Sequence, residues 1–221
     1  MKLRLLAVLP VLAIAACAAT PEQPTAEGLV RSPSSQLDQL YLRPAADLPR
    51  YDKVVLDPVP VGLRADWIEQ RHAYNRFQPM YPPVIDAERL KKDMADLMQA
   101  DLGEAFRAAG YEPMALAGPG VLRVSAKVDE LFVNAPERVF VARQATRDAG
   151  QAKLSLEVRD SASGVVLARI EHFVIAREAL RANPADDVSS RMWFDVVFRR
   201  FASNCVDAFG AARRTALSLA Q

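Results

Sequence analysis

The sequence predicts an α+β fold, with a mixed or mainly antiparallel sheet of about four to five strands and two amphipathic helices packed on one face. Three stretches, 121–133, 152–159 and 165–176, support the strands because apolar and polar residues alternate in them. Two stretches, 86–109 and 189–212, carry apolar residues at the 3.6-residue helical period. The chain of 221 residues is long enough for one domain with a sizeable core.

The first seventeen residues have the pattern of a secretory signal. Lys2 and Arg4 precede an apolar run, and Ala15 and Ala16 lead directly to Cys17. The run is shorter than the roughly 20 apolar residues that span a bilayer. This pattern resembles the lipobox of bacterial lipoproteins. The resemblance implies a signal peptide over residues 1–16, cleavage after Ala16, a diacylglyceryl thioether on Cys17, and an amine that is commonly acylated too.

Residues 17–36 are predicted to be the lipidated cysteine and a flexible tether, because Pro, Ser, Thr and Ala dominate them. Ala18, not Asp, follows the cysteine. By resemblance to the sorting rule of enteric bacteria, this favours the periplasmic face of the outer membrane over the inner membrane. Residues 37–221 are then one globular domain, which opens with an irregular lead-in up to Tyr51.

The first half of the domain should contain one strand and one helix. Residues 52–61 are apolar on both faces, which indicates an interior strand, and because of Pro58 and Pro60 its far end should lie at an edge of the sheet or leave it. Asp86 is the expected N-cap of a helix that reaches Ala109, and Gly110 is the expected C′ residue. The methionines of this helix lie on its apolar stripe and are interpreted as core residues.

The second half should contain the remaining strands and the last helix. The alternation in 121–133 predicts a half-buried antiparallel strand, and residues 139–146 form a weaker candidate. Residues 160–164 predict a turn that joins 152–159 and 165–176 into a hairpin, with Asp160 as a turn residue and not a catalytic one. Ser189 or Ser190 is expected to cap the final helix, and Cys205 lies inside its apolar stripe as a buried thiol.

Four short motifs resemble a family of bacterial lipoproteins, those of domain of unknown function 3313. They are Gly28-Leu29-Val30, residues 51–59 (YDKVVLDPV), residues 118–123 (GPGVLR) and residues 160–168 (DSASGVVLA). The resemblance covers nearly all of the chain after Cys17. It implies lipidation and a shared fold, and because the family has no assigned activity it implies no functional residues.

Residues 62–83 form an aromatic stretch with interleaved arginines. One interpretation is an exposed surface for a partner, formed by Trp67, Tyr74, Phe77 and Tyr81, since aromatic residues and Arg dominate interface hot spots. The other interpretation, which we favour, is a long loop that folds over the sheet and uses the same aromatic residues as a lid.

No stretch of the sequence predicts an active site. His72 and His172 are far apart and lack supporting ligands, so we expect no metal, and no phosphate or dinucleotide motif predicts a cofactor. The formal charge of +1 falls by two when Lys2 and Arg4 are removed, which offers no basic surface for nucleic acid.

The expected function is therefore a non-catalytic binding or assembly module, held on the membrane by its N-terminal lipid, for another periplasmic or outer-membrane component. Two alternatives stay open at this point. The first is a carrier or sensor of a small apolar or lipid ligand held between the sheet and the helices. The second is an envelope hydrolase, which would need carboxylates that converge in space.

Overall fold

One mixed sheet with two long helices on one face makes up the described part of the chain. The computed structural model describes residues 23–67, 69, 86–133, 148–177 and 187–219. The helices are α1 (Ala87–Ala108) and α2 (Asp187–Leu219). Within the described residues the sheet has eight strands: β1 (Val30–Arg31), β2 (Gln39–Leu42), β3 (Lys53–Leu56), β4 (Val61–Leu63), β5 (Glu112–Pro113), β6 (Val121–Val133), β7 (Asp148–Asp160) and β8 (Val166–Arg177).

The α+β class is confirmed, but the expected four to five strands are too few. The strand order is β1-β2-β8-β7-β6-β3-β5, with β4 also paired to β6. The extra strands are short: β1 and β5 have two residues each, and β4 has three. A strand of two or three residues is too short to show an alternation of apolar and polar residues. The sequence therefore contains no periodic signal for these strands.

The long strands form an antiparallel centre with parallel strands beside it. β6 and β7 pair antiparallel from Leu122 opposite Asp160 to Val133 opposite Gly150, and β7 pairs antiparallel with β8 through the predicted hairpin. On its other side β6 pairs in parallel with β3 and, further along, with β4. The single strand predicted over residues 52–61 is therefore two strands, separated by the segment with Pro58 and Pro60 that cannot donate ladder hydrogen bonds.

Helix α1 follows its sequence signals closely. The Asp86 carboxylate accepts hydrogen bonds from the backbone N–H groups of Glu88 and Arg89, which confirms the N-cap. Gly110 has φ +87° just after the C-cap, as the C′ position requires. Met94 and Met98 are buried on the face that packs against α2 and the sheet, so they are core residues as predicted.

Helix α2 begins earlier than expected. Its first residue is Asp187, so Ser189 and Ser190 lie inside the first turn and neither is the cap. The helix covers the sheet through Phe194, Phe198 and Phe201, all buried. Large rings at this spacing fill the space above the small and branched residues of β7 and β8. None of the helices in the described residues is both long enough and apolar enough to cross a membrane.

The N-terminal segment is more ordered than the sequence suggests. The predicted tether extends to residue 36, but Leu29 is fully buried and β1 pairs antiparallel with β2. The predicted lead-in is irregular, but β2 pairs with β8 from Gln39 opposite Glu171 to Leu42 opposite Ala168. A short 3₁₀ helix, Leu48–Arg50, then leads into β3. The predicted weak strand over 139–146 lies outside the described residues.

The two ends of the domain differ. At one end, which we call the distal end, β6 ends at Val133, β7 and β8 pair at Asp148 and Arg177, and α2 begins. At the opposite end, which we call the tether end, lie β1, β2 and the last turns of α2.

Candidate functional site

An open groove of about 670 Å³ at the tether end is the candidate site. Its floor is the helix-facing side of β1 and β2, where Val30 lies directly opposite Leu42 and Leu40 lies on the same face. Its wall is the C-terminal half of α2. The full lining consists of Val30, Arg31, residues 32–36, Leu40, Leu42, Arg43, Pro44, Ala45, Ala46, Leu48, Asp207, Ala208, Ala211, Ala212 and Thr215.

The groove lies where the side chains that α2 turns toward the β1–β2 hairpin are small, while Phe209 on the neighbouring side of the helix remains buried in the core. In its first half, Phe194 approaches Gly150 of β7, and the Phe201 ring stacks on His172 of β8 with centroids 6.1 Å apart. In its second half, α2 presents Ala208, Ala211 and Ala212 to the β1–β2 hairpin. A methyl group cannot fill the space that a phenyl ring fills, so a gap remains between helix and hairpin.

The hairpin that forms the floor is tied to the rest of the sheet. The Arg43 guanidinium donates to the backbone carbonyls of Val166 and Glu27, each at 2.6 Å. The backbone N–H of Arg43 also donates to the carbonyl of Leu167 at 2.8 Å. These bonds use the Arg43 charge to fix the hairpin against β8. The groove interior is therefore left to aliphatic groups, with polar side chains at its rim.

The sheet face opposite the helices is a charged, solvated surface. Arg123 Nε lies 3.0 and 2.9 Å from the two carboxylate oxygens of Asp57, and Ser125 donates to the same carboxylate at 2.6 Å. The Arg123 hydrogen bond is the main cause that lowers the pKa of Asp57. Glu157 accepts from Arg159 and Arg169 in the same way. These paired charges suit exposure to water, and they occupy the part of the face near the tether end, around Arg123 and Glu157.

Large apolar side chains are exposed at the distal end. Phe173 and Ile175 of β8 are 48% and 38% exposed, and they alternate with buried Val174 and Ala176, so they project from the sheet face opposite the helices. On the helix side of the sheet, Met192 and Val196 of α2 are 51% and 50% exposed. The pairing of β2 with β8 extends only as far as Gln39, the first residue of β2, which lies opposite Glu171. Within the described residues, therefore, no strand pairs with residues 173–177 of β8 on that side. An exposed strand edge with apolar side chains beside it is a common feature of protein-binding surfaces.

The predicted site residues have different outcomes. Trp67 does not belong to an exposed surface: it is 4% exposed, and its indole N–H donates to the Val133 carbonyl at 3.0 Å. The hydrogen bond and burial place its side chain in the core, as the lid interpretation expects for this residue. Tyr74, Phe77 and Tyr81 lie outside the described residues, as do Ala16, Cys17 and His72.

Asp160 is a turn residue, as predicted, and it is also the centre of a buried cluster. Its carboxylate accepts from the backbone N–H groups of Ala162 and Ser163 at 2.9 Å, from the Tyr51 hydroxyl at 2.7 Å, and from Arg50. Burial alone would raise the pKa of Asp160, but the hydrogen bonds from Ser163, Tyr51 and Ala162 outweigh it, and the net pKa lies well below the ordinary value. This cluster joins the hairpin turn to the 3₁₀ helix and explains the conformation of the turn.

A second buried carboxylate lies between the helices. Asp101 of α1 is 4% exposed, and its Oδ1 atom lies 3.6 Å from Arg199 Nε, while Oδ2 has no hydrogen-bond partner in the described part of the chain. Arg199 pairs more closely with Asp195, at 2.7 Å. Burial, followed by the negative charge of Asp195, raises the pKa of Asp101 to about 6. Because the carboxylate is buried between the two helices, the raised pKa bears on the stability of the fold.

The remaining chemistry-bearing residues are packed in the core. Cys205 is 1% exposed, and burial raises the pKa of its thiol well above the ordinary value. His172 lies between the Phe201 ring and Asp38, whose Oδ2 atom is 3.1 Å from His172 Nδ1. In the ranges that the structure describes, no group of three or more His, Cys, Asp and Glu residues is arranged to hold a metal ion.

Sequence reasoning did not find the groove, although one of its two signals was visible. The apolar stripe of α2 contains Ala208 and Ala212 in its C-terminal half, where its first half has Phe194, Phe198 and Phe201, but it also contains Phe209, so the loss of volume is only on one side of the helix. The other signal was absent, because nothing local shows that residues 30–48 lie against this part of α2.

Comparisons with known proteins give weak similarities of fold. No family model matches the chain. No curated protein matches it. The solved structures that resemble it include a PelC dodecamer from Paraburkholderia phytofirmans (11% identity, 70% of this chain and 87% of that chain, TM-score 0.38). A putative neuraminyllactose-binding hemagglutinin homolog from Helicobacter pylori has 12% identity over 72% and 83% of the two chains, with a TM-score of 0.36.

A putative lipoprotein from Caulobacter crescentus has 10% identity over 79% of this chain and 97% of that chain, with a TM-score of 0.34. At these identities and scores the similarities assign no function, and the resemblance to domain of unknown function 3313 stays a prediction. The chain is therefore similar in outline to several bacterial proteins, a lipoprotein among them, and its function has to be inferred from its own residues.

Proposed function

We propose that this protein is a lipid-anchored, non-catalytic module of the bacterial envelope that binds another envelope protein through its distal end. The observation that carries the proposal is the N-terminal pattern that ends at Ala15-Ala16-Cys17 and is followed by a single folded domain. An acylated Cys17 would keep the domain on the periplasmic face of the outer membrane. Two or more acyl chains make such an anchor stable, whereas one makes it marginal.

The arrangement of the domain supports a partner at the end away from the anchor. The chain enters the fold at the tether end, through β1, while Phe173, Ile175, Met192 and Val196 are exposed at the distal end. Between Arg191 and Ala211, α2 rises by about 30 Å, at 1.5 Å per residue. An anchor at one end therefore leaves the apolar side chains of the other end accessible to a periplasmic or membrane-embedded protein.

The first experiment compares the native protein with a Cys17→Ser variant that keeps a cleavable signal. We expect the native protein in the outer-membrane fraction and the variant in a soluble or uncleaved form. A membrane fraction that does not change in the variant would contradict the lipid anchor. Acylation of Cys17 is read directly from the mass of the N-terminal peptide.

The second experiment tests the partner by placing a photo-crosslinking amino acid at Phe173 in intact cells. Val165 provides the matched control, because it is also an exposed apolar residue of the same hairpin, 41% exposed, but lies at the tether end. We expect a discrete adduct with one envelope protein from position 173 and none from position 165. Equal labelling from both positions, or none from either, would remove the support for a distal binding surface.

A carrier of a small apolar or lipid ligand is the second candidate function, and the groove is the observation that favours it. A volume of about 670 Å³ lies within the range of ligand pockets, roughly 300–1,000 Å³. Native mass spectrometry of the Cys17→Ser protein tests this second function. A carrier should co-purify with a lipid or metabolite in stoichiometric amount.

A further inference from the structure

We propose that the groove between the β1–β2 hairpin and α2 holds one of the acyl chains carried by Cys17, so that the tether end of the domain lies against the membrane. This inference rests on the proposed lipidation of Cys17 and adds a site for one of its chains. The proposed occupant is the acyl chain of the same molecule. A free fatty acid or phospholipid has the same chemistry, and the crosslinking experiment distinguishes it by the absence of a link to Cys17.

The chemistry of the groove suits a hydrocarbon chain. Its floor of Val30, Leu40 and Leu42 and its wall of Ala208, Ala211 and Ala212 are aliphatic. The lining also includes polar residues, which are exposed except for the half-buried Ser32: Arg31, Ser32, Ser34, Ser35, Gln36 and Thr215. The charge of Arg43, which lines the groove, is already engaged with two backbone carbonyls, and Asp207 is exposed at the rim. Aliphatic side chains offer apolar contact along the length of a methylene chain and no directional polar contact for a headgroup.

The position of the groove places it within reach of the anchor. Val30 follows Cys17 by thirteen positions and is itself a lining residue. A chain of that length spans at most about 45 Å, at roughly 3.3–3.6 Å per residue. The Thr25 hydroxyl accepts from the Leu29 backbone N–H, and the Thr25 N–H donates to the Leu29 carbonyl, so the fold already begins at Thr25. Thr25 follows Cys17 by eight positions, so Cys17 can lie at most about 26–29 Å from Thr25.

The number of acyl chains allows one of them to leave the bilayer. A lipoprotein whose amine is also acylated carries three chains, and two chains are sufficient for a stable anchor. The third chain finds an apolar environment in the groove as it does in the bilayer. An acyl chain bound in the groove would fix the orientation of the domain, with the distal end pointing away from the membrane.

The experiment uses the full-length protein in cells fed with a diazirine-bearing fatty acid, which is incorporated into the acyl groups of lipoproteins and phospholipids. After irradiation, the purified protein is digested and its crosslinked peptides are identified by mass. We expect the acylated Cys17 peptide to be joined to the α2 peptide that contains residues 207–213. In an Ala211→Trp variant, whose new indole occupies the groove, this crosslink should be lost.

Ala211 is exposed in the groove wall, so a larger side chain can be added there without entering the core. Ala100→Trp, at an exposed position on α1, is the matched control and should retain the crosslink. Thermal unfolding of both variants is measured in the Cys17→Ser background. Midpoints equal to that of the parent protein would show that each variant folds.

The other outcomes are distinct. If Cys17 is acylated and the α2 peptide carries no crosslink, or carries a fatty acid or phospholipid not linked to Cys17, the proposal is wrong and the anchor stands. If Cys17 carries no acyl group at all, the proposed anchor fails, and this inference fails with it. A crosslink that persists unchanged in Ala211→Trp would also overturn the proposal, because it could not come from a chain inside the groove.

Discussion

Replacing Asp101 with asparagine should stabilise the domain at neutral pH and leave it almost unchanged at acid pH. The carboxylate is buried between α1 and α2, its Oδ2 atom has no hydrogen-bond partner among the described residues, and Asp195 repels it. Its pKa rises from an ordinary 3.8 to about 6, which corresponds to a cost of about 3 kcal/mol for the charged form in the folded state. Asparagine has the same shape without the charge and avoids this cost.

The direction of the pH dependence follows from the raised pKa. Below about pH 4 the carboxyl is protonated in both the folded and the unfolded chain, so it costs nothing. Between pH 4 and pH 6 the unfolded chain releases its proton first, and the free energy of unfolding falls. Above pH 6 the full cost is present. The Asp101→Asn substitution should therefore raise the free energy of unfolding by up to about 3 kcal/mol at pH 7.5, and by much less at pH 4.

Urea unfolding of both proteins at pH 4 and pH 7.5, in the Cys17→Ser background, measures this difference. Asp96→Asn is the control, because Asp96 is exposed on the same helix and pairs with Lys92 at 2.6 Å. An exposed pair of this kind contributes at most about 1 kcal/mol, so the control should change little at either pH. An Asp101→Asn protein that gains no stability at pH 7.5, or gains equally at both pH values, would refute the reasoning.

Three further predictions concern buried groups. Gly150→Ala should cost about 1–3 kcal/mol by urea unfolding, because a Cβ would collide with the Phe132 carbonyl and lie 3.0 Å from the Phe194 ring; a neutral result would mean that the strand shifts freely. Asp160→Asn should cost about 1–3 kcal/mol at pH 7, since the charged acceptor is lost. Its pKa is lowered, so this cost should shrink as the pH falls below the ordinary value near 3.8; a cost that did not depend on pH would count against the charge. The Cys205 thiol should resist a thiol reagent in the native protein and react after unfolding, and rapid native labelling would contradict its burial.

The elements that the sequence predicted well are those whose signals are local. Helix α1 has its cap, its apolar stripe and its terminal glycine within one continuous stretch, so Asp86 and Gly110 could be assigned directly. The hairpin of β7 and β8 is similar, because its two alternating strands are separated only by a turn in which the Asp160 carboxylate accepts from the backbone N–H groups of Ala162 and Ser163. In both cases the contacts that decide the structure lie close together in the chain.

The elements that were missed depend on contacts distant in sequence. β2 pairs with β8 across more than a hundred residues, and β4 is a strand only because the second half of β6 lies beside it. Neither has enough residues to show a period. The groove has the same origin, since its floor and its wall come from opposite ends of the chain. The burial of Trp67 agrees with the favoured lid interpretation, but the sequence alone could not exclude an exposed surface, because aromatic residues among arginines are found in both.

The order of the N-terminal segment limits how the domain can sit on a membrane. A tether that extended to residue 36 would let the domain rotate freely at a distance. Because Leu29 is buried and hydrogen-bonded to Thr25, the chain between Cys17 and the fold spans at most about 26–29 Å. The rise of α2 from its C-terminal half to its first turns is of similar length, about 30 Å. If Cys17 carries the proposed lipid, the domain is attached at β1 by this short segment, and the distal end with Phe173 and Ile175 is the part that extends furthest toward a periplasmic partner.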